Sequence, residues 1–132
     1  MNALRAREHA YCPYSKFAVG AALLTKDNKV FLGSNIENAS YGVTNCAERT
    51  AFYKALSDGY NNFRAIAIIG GPEGKDIKDF AFPCGTCRQV MMEFCSPEDF
   101  VVIVAKSESV YKVYALKELL PEGFGPSNLN KK

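Results

Sequence analysis

Ala65-Ile66-Ala67-Ile68-Ile69 is the run on which the fold turns. Five apolar residues without a polar interruption do not suit a strand with one wet face. They suit a central strand covered on both faces, which calls for helices on either side of a sheet. The flanks supply such helices. Upstream, Ala47, Ala51 and Ala55 recur four apart with Phe52 and Leu56 beside them, which predicts a helix from about Cys46 to Ser57 that packs closely on a sheet and stops at Gly59. Downstream lie a long polar loop from Gly70 to Pro83, a helix from about Gly85 to Cys95 with Val90, Met91 and Phe94 on one face, and a second apolar strand from Phe100 to Ala105. Lys106-Ser107-Glu108-Ser109 is too short for a crossover helix, so the next strand, about Tyr111 to Ala115, must run antiparallel to its predecessor. Leu116 to Leu120 reads as a short helix stopped by Pro121.

The N-terminal part completes the pattern. Residues 2–10 are good helix formers, ended by Tyr11-Cys12-Pro13-Tyr14-Ser15, since proline cannot continue a helix. Phe17 to Thr25 and Val30 to Ser34 are strands joined by a tight Asp27-Asn28 turn, hence an antiparallel hairpin. Residues 35–45 form a polar loop that ends at a helix start. The expectation is an α/β fold: a three-layer α/β/α sandwich around one mixed five-stranded sheet, in a single domain spanning residues 1–132.

With 132 residues, 48% of them hydrophobic, the chain can bury a continuous core without disulfide staples. The net charge of +2, with signs interleaved, gives no electrostatic case for nucleic acid or an anionic membrane as partner. No apolar stretch approaches membrane-spanning length, and the N-terminus lacks the apolar block of a signal peptide. The five cysteines are an odd number, and three sit in polar, glycine-bearing turn segments, which argues against a secreted disulfide framework. A cytoplasmic location with reduced thiols is expected. Cys12 and Cys95 read as small packing residues, and His9 as a surface or packing residue of the first helix.

The remaining cysteines carry chemistry. Thr44-Asn45-Cys46-Ala47-Glu48-Arg49 and Pro83-Cys84-Gly85-Thr86-Cys87-Arg88-Gln89 both lie where a loop becomes a helix. In an open sheet such helix starts converge at one edge, and their partial positive charge favours the thiolate form that binds zinc. Three sulfur ligands with one vertex left to water describe a catalytic zinc; four protein ligands would describe a structural one. Three thiolates and Zn²⁺ sum to one negative charge, which opposes acidification of bound water. Arg49, three residues after Cys46, falls on the same helical face and is the expected compensator, with Arg88 as a second candidate. Glu48 can move protons beside such a water. Taken singly, Cys84 and Cys87 also suit a redox pair or half of a structural zinc knuckle, and Glu48 a capping box behind Asn45. A Cys-x-Glu on one helix start with a Pro-Cys-x-x-Cys on the next is the pairing found in zinc deaminases.

With these motifs the chain resembles the cytidine deaminase family in its small homotetrameric form, from about Ala10 to Phe124. Tyr14-Ser15-Lys16-Phe17 with Val19-Gly20-Ala21-Ala22-Leu23 is similar to the family's first strand, and Asn35-Ile36-Glu37-Asn38-Ala39-Ser40-Tyr41 to its nucleoside-binding loop. Leu119-Leu120-Pro121 followed by Phe124 is similar to its C-terminal signature. The resemblance implies one zinc ion per subunit on Cys46, Cys84 and Cys87. It implies hydrolytic deamination of cytidine and 2'-deoxycytidine to uridine and 2'-deoxyuridine with release of ammonia, as in pyrimidine salvage. By the same resemblance Glu48 protonates N3 and shuttles a proton to the departing amine. The Ala47 N–H steadies the ring carbonyl, Asn35 and Glu37 hold the ribose, and Phe17 packs on the base. Phe124 and Tyr41 cross to a neighbouring subunit's site in a homotetramer. Position 18 is Ala where the family often has Pro. A deaminase of a modified cytosine nucleoside such as blasticidin S shares the three cysteines and the glutamate and is the alternative.

Overall fold

In the computed structural model, which describes residues 2–130, the elements run α1 (Asn2–Arg7), β1 (Phe17–Thr25), β2 (Val30–Ser34), α2 (Ala47–Ser57), β3 (Phe63–Pro72), α3 (Gly85–Phe94), β4 (Val101–Ala105), β5 (Tyr111–Ala115), α4 (Leu116–Leu119) and α5 (Pro126–Asn130). The five strands form one sheet in the order β2-β1-β3-β4-β5. Only β3 and β4 are parallel, because α3 lies between them in the chain; β1/β2, β1/β3 and β4/β5 are antiparallel. The sheet is therefore mixed and five-stranded, with its most apolar strand in the middle, as the sequence leads one to expect.

The pleat assigns the faces. Ala21 pairs with Gly33 and with Ile68, and Ile68 pairs with Val104, so these residues share a face with Leu23, Ile66 and Val102. That face carries the main core, formed with Ala47, Ala51, Phe52 and Ala55 of α2 and Cys87 and Met91 of α3. α1 crosses the opposite face. There a Cβ on Gly20 would come within 2.0 Å of the Ala3 carbonyl oxygen, so only glycine admits the helix. On the α2 face Gly33 plays the same part, its missing Cβ lying 2.3 Å from the Ala47 carbonyl oxygen. The six residues of α1 cover less of the sheet than α2 and α3 do, and Ala65, Ala67 and Ile103 on its side remain half-buried.

Several boundaries differ from the sequence expectation for physical reasons. α1 ends at Arg7 because the next turn tightens: Glu8, His9 and Ala10 donate to the carbonyls three residues back. β3 runs on through Gly70 and Gly71 to Pro72, where β1 supplies ladder partners at Val19, Ala18 and Phe17. Arg7 caps that end, its guanidinium donating to the carbonyls of Ala18 at 2.8 Å, Gly71 at 2.9 Å and Pro72 at 3.0 Å. α5 was not foreseen.

The topology brings four chain segments to one edge. Phe17 opens β1 opposite Pro72, where β3 ends. Ser34 closes β2 opposite Gly20, three residues further along β1. Ile36 then bridges both Tyr11 and Asn45, so the loop that follows β2 stays pinned until α2 begins. α3 starts from the loop that leaves β3. Both helix starts thus stand at the edge where β3 ends.

Candidate metal centre and active site

Cys46 is the N-cap of α2, Cys84 the N-cap of α3, and Cys87 lies in the first turn of α3. Their sulfurs all lie within 4.8 Å of one another, with Cys46 and Cys84 at 3.9 Å. Tetrahedral zinc with bonds of about 2.3 Å needs sulfurs roughly 3.8 Å apart, so the residues fit the ion. Among the described residues no further His, Cys, Asp or Glu joins this group. Three protein ligands leave a vertex for solvent or substrate, which is the catalytic pattern.

The charge around the sulfurs is arranged to suit an anionic cluster. Arg49 donates from Nη2 to the Cys46 sulfur at 3.2 Å. A bond from the Cys87 thiol, together with Arg49, holds Cys46 well below the ordinary thiol range. The bond to the Cys46 sulfur raises Arg49 in return, so it stays a cation. Cys87 is pushed up as the proton donor to Cys46 and by its burial. Arg49 Nε is buried without a hydrogen-bond partner among the described residues, on the same guanidinium that donates to the Cys46 sulfur. Arg88 does not share this task. Its guanidinium donates to the carbonyls of Pro83 and Leu119, both at 2.8 Å, and ties the start of α3 to α4. Of the two arginines, Arg49 is the one on sulfur. Arg49→Ala is expected to weaken zinc retention about 10–100-fold, the usual cost of losing a group that supports a ligand. Competition with a chromogenic chelator measures it, and unchanged retention with an unchanged pH–rate profile would remove Arg49 from the account.

Glu48 is the second residue of α2 and only 5% exposed. Burial pushes its carboxyl up to about 7, with a smaller push from Cys46. It is not the third residue of a capping box behind Asn45, because the cap is Cys46; the Asn45 amide instead donates to the Thr50 hydroxyl at 3.2 Å. Ala47 is fully buried and first in the helix, so its N–H has no intrahelical acceptor.

Phe17, Asn35 and Glu37 come together at the same edge. Asn35 bridges to β1, its amide donating to the Phe17 carbonyl at 2.8 Å and its Oδ1 accepting from the Val19 N–H at 2.9 Å. Phe17 is 41% exposed and so is not a core residue. Glu37 accepts from the N–H groups of Tyr14 and Ser15 at 3.0 and 3.1 Å and from the Ser15 hydroxyl. Tyr41 stands outermost at 75% exposed, its ring edge-on to Tyr14. Phe124 is also exposed, and its carbonyl accepts from Gln89 of α3 at 2.7 Å. Two participants escape sequence reasoning: Arg7, whose role depends on a contact 64 residues away, and Ser15, whose signal was present in Tyr14-Ser15-Lys16-Phe17 but reads there as a strand start.

Residues 1–104 match the family described as "Cytidine and deoxycytidylate deaminase zinc-binding region". A cytidine deaminase of Halalkalibacterium halodurans is 50% identical over 129 residues, covering 98% of this chain and 93% of that protein. One from Mycobacterium tuberculosis is 39% identical, covering 97% and 88%. Among solved structures, cytidine deaminase from Burkholderia pseudomallei superposes with a TM-score of 0.83 at 49% identity, covering 93% of this chain and 94% of that one. The crystal structure of the Mycobacterium tuberculosis protein gives 0.78 at 40% identity, covering 94% and 92%.

Proposed function

The chain belongs to the cytidine and deoxycytidylate deaminase zinc-binding family, and from that premise we propose that it converts cytidine and 2'-deoxycytidine to uridine and 2'-deoxyuridine, releasing ammonia, with one zinc ion per subunit on Cys46, Cys84 and Cys87. The observation that carries this reading is the convergence of three sulfurs, with no fourth protein ligand among the described residues, beside a buried carboxyl. Zinc, when bound, supplies Lewis-acid activation of water at neutral pH.

The chain's own residues do the rest. Glu48 takes a proton from the attacking water and places it on ring N3, then takes the second proton from the new C4 hydroxyl and delivers it to the departing amine as the C4–N bond breaks; cytidine and water become uridine and ammonia with no other reactant. A carboxyl held near 7 is matched to both taking and giving a proton at neutral pH. Arg49 keeps the sulfur cluster from carrying excess negative charge. The Ala47 N–H bonds the ring carbonyl. Phe17 packs on the base, and Asn35 and Glu37 hold the sugar. Exposed Tyr41 and Phe124 complete the site of a neighbouring copy, so the working form is a homotetramer with shared sites. The chain acts as one domain in the cytoplasm, in pyrimidine salvage, and takes no nucleic acid or membrane partner; among the described residues no helix is long and apolar enough to cross a membrane.

The test is direct. Purified protein should contain one zinc per chain, elute at four times the chain mass and release ammonia from cytidine. Turnover of blasticidin S alone would replace this reading with the modified-nucleoside one.

A further inference from the structure

A single hydroxyl connects the two residues that this reading assigns to opposite ends of the nucleoside. The Phe17 N–H donates to Ser15 Oγ at 3.0 Å, and the Ser15 hydroxyl donates its own proton to Glu37 Oε2. The N–H groups of Tyr14 and Ser15 occupy Oε1 at 3.0 and 3.1 Å. An ionised carboxylate offers about four acceptor positions. Two on Oε1 and one on Oε2 are filled, which leaves one position on Oε2. These bonds, the Ser15 hydroxyl foremost, hold Glu37 below the usual carboxylate range, so it presents an acceptor and no donor.

The turn beneath is fixed from both sides. Lys16 sits at φ 58°, a left-handed conformation that costs a non-glycine residue energy. Its N–H donates to the Cys12 carbonyl at 3.0 Å, and its carbonyl accepts from the Glu73 N–H at 2.7 Å. Backbone bonds thus hold the turn without the serine side chain. Ser15 is exposed, so its hydroxyl contributes little to the core. What the hydroxyl does is couple the strand start at Phe17 to the carboxylate of Glu37.

We propose that Ser15 is a positioning residue for substrate selection: it aims the free acceptor of Glu37 at the 2'- or 3'-hydroxyl of the nucleoside's sugar. The proposal rests on the reading that Glu37 and Phe17 contact the nucleoside. It predicts that the sugar hydroxyls, and not the base, sense the loss of Ser15.

The experiment compares kcat and KM of the zinc-loaded protein for cytidine and 2',3'-dideoxycytidine, in wild type, Ser15→Ala and Ser15→Thr, with melting temperatures recorded for each. Ser15→Ala is expected to lose about tenfold in kcat/KM for cytidine, carried by KM, the scale of one lost hydrogen bond to a charged group. Dideoxycytidine should be affected by less than about twofold, because it lacks the 2'- and 3'-hydroxyls from which the misplaced carboxylate would accept. Ser15→Thr keeps the hydroxyl and should restore cytidine. Equal losses on both substrates, no loss on either, or a normally melting Ser15→Thr as impaired as Ser15→Ala overturns the proposal. A wild type that deaminates neither substrate overturns the underlying reading, and the proposal with it.

Discussion

Glu48→Gln is expected to lower turnover of cytidine by on the order of 10²–10⁴-fold while zinc content stays at one per chain. Glutamine has nearly the same shape, so α2 and its cap are undisturbed, but it cannot take a proton from water or return one to N3. The three sulfurs do not depend on Glu48, which is why the metal should stay. A stability measurement separates this from a folding defect. In chelator-treated wild type, burial raises the folded-state pKa of Glu48 to about 7 from an ordinary 4.5. The sign follows: Glu48 folds most favourably when protonated, below pH 4.5, and that advantage is lost as pH rises through 7. Above that pH the buried carboxylate costs on the order of 3 kcal/mol, and Glu48→Gln should then be the more stable protein without metal. A variant that still turns over cytidine normally would eliminate Glu48 as the proton carrier.

Cys84→Ala should remove zinc and turnover together yet leave the fold standing. Two thiols cannot retain the ion that three hold, because each thiolate supplies a large part of the binding. Cys84 is the right ligand to delete. It is exposed, whereas Cys87 is 1% exposed and part of the core, so removing Cys87 would open a cavity as well. The one local cost is the weak cap that Cys84 provides, its sulfur accepting from the Cys87 N–H at 3.5 Å. Loss of a cap costs about 1 kcal/mol, too little to unfold the domain. Metal analysis and circular dichroism on one sample decide it: a zinc-loaded Cys84→Ala would break the three-sulfur assignment.

Most of this architecture was legible because it rests on local patterns. The apolar run at 65–69 announces a covered strand, the alanines of α2 announce close packing, and the short 106–109 link forces β5 antiparallel. The metal ligands were legible for a related reason: a cysteine at a helix cap is visible from the helix that follows it. What stayed hidden depends on partners distant in the chain. Gly70 and Gly71 look like loop until β1 is laid beside them. Pro126–Asn130 has no apolar period to reveal a helix. The spacing from Cys46 favours Arg49 over Arg88 as the partner of sulfur, but what Arg88 does instead depends on the Leu119 carbonyl, 31 residues away. Ser15 falls in the turn that the sequence leads one to expect, but its bond to Glu37, 22 residues on, leaves no local trace.

The ligands also come from two caps 38 residues apart. An ion gripped by both acts as a clasp on the chain, shutting a loop that contains α2 and the central strand. Its release would remove one tie between the starts of both helices, while the core beneath keeps the fold. Demetallation would then be a mechanical change at this one edge of the sheet as well as a chemical one.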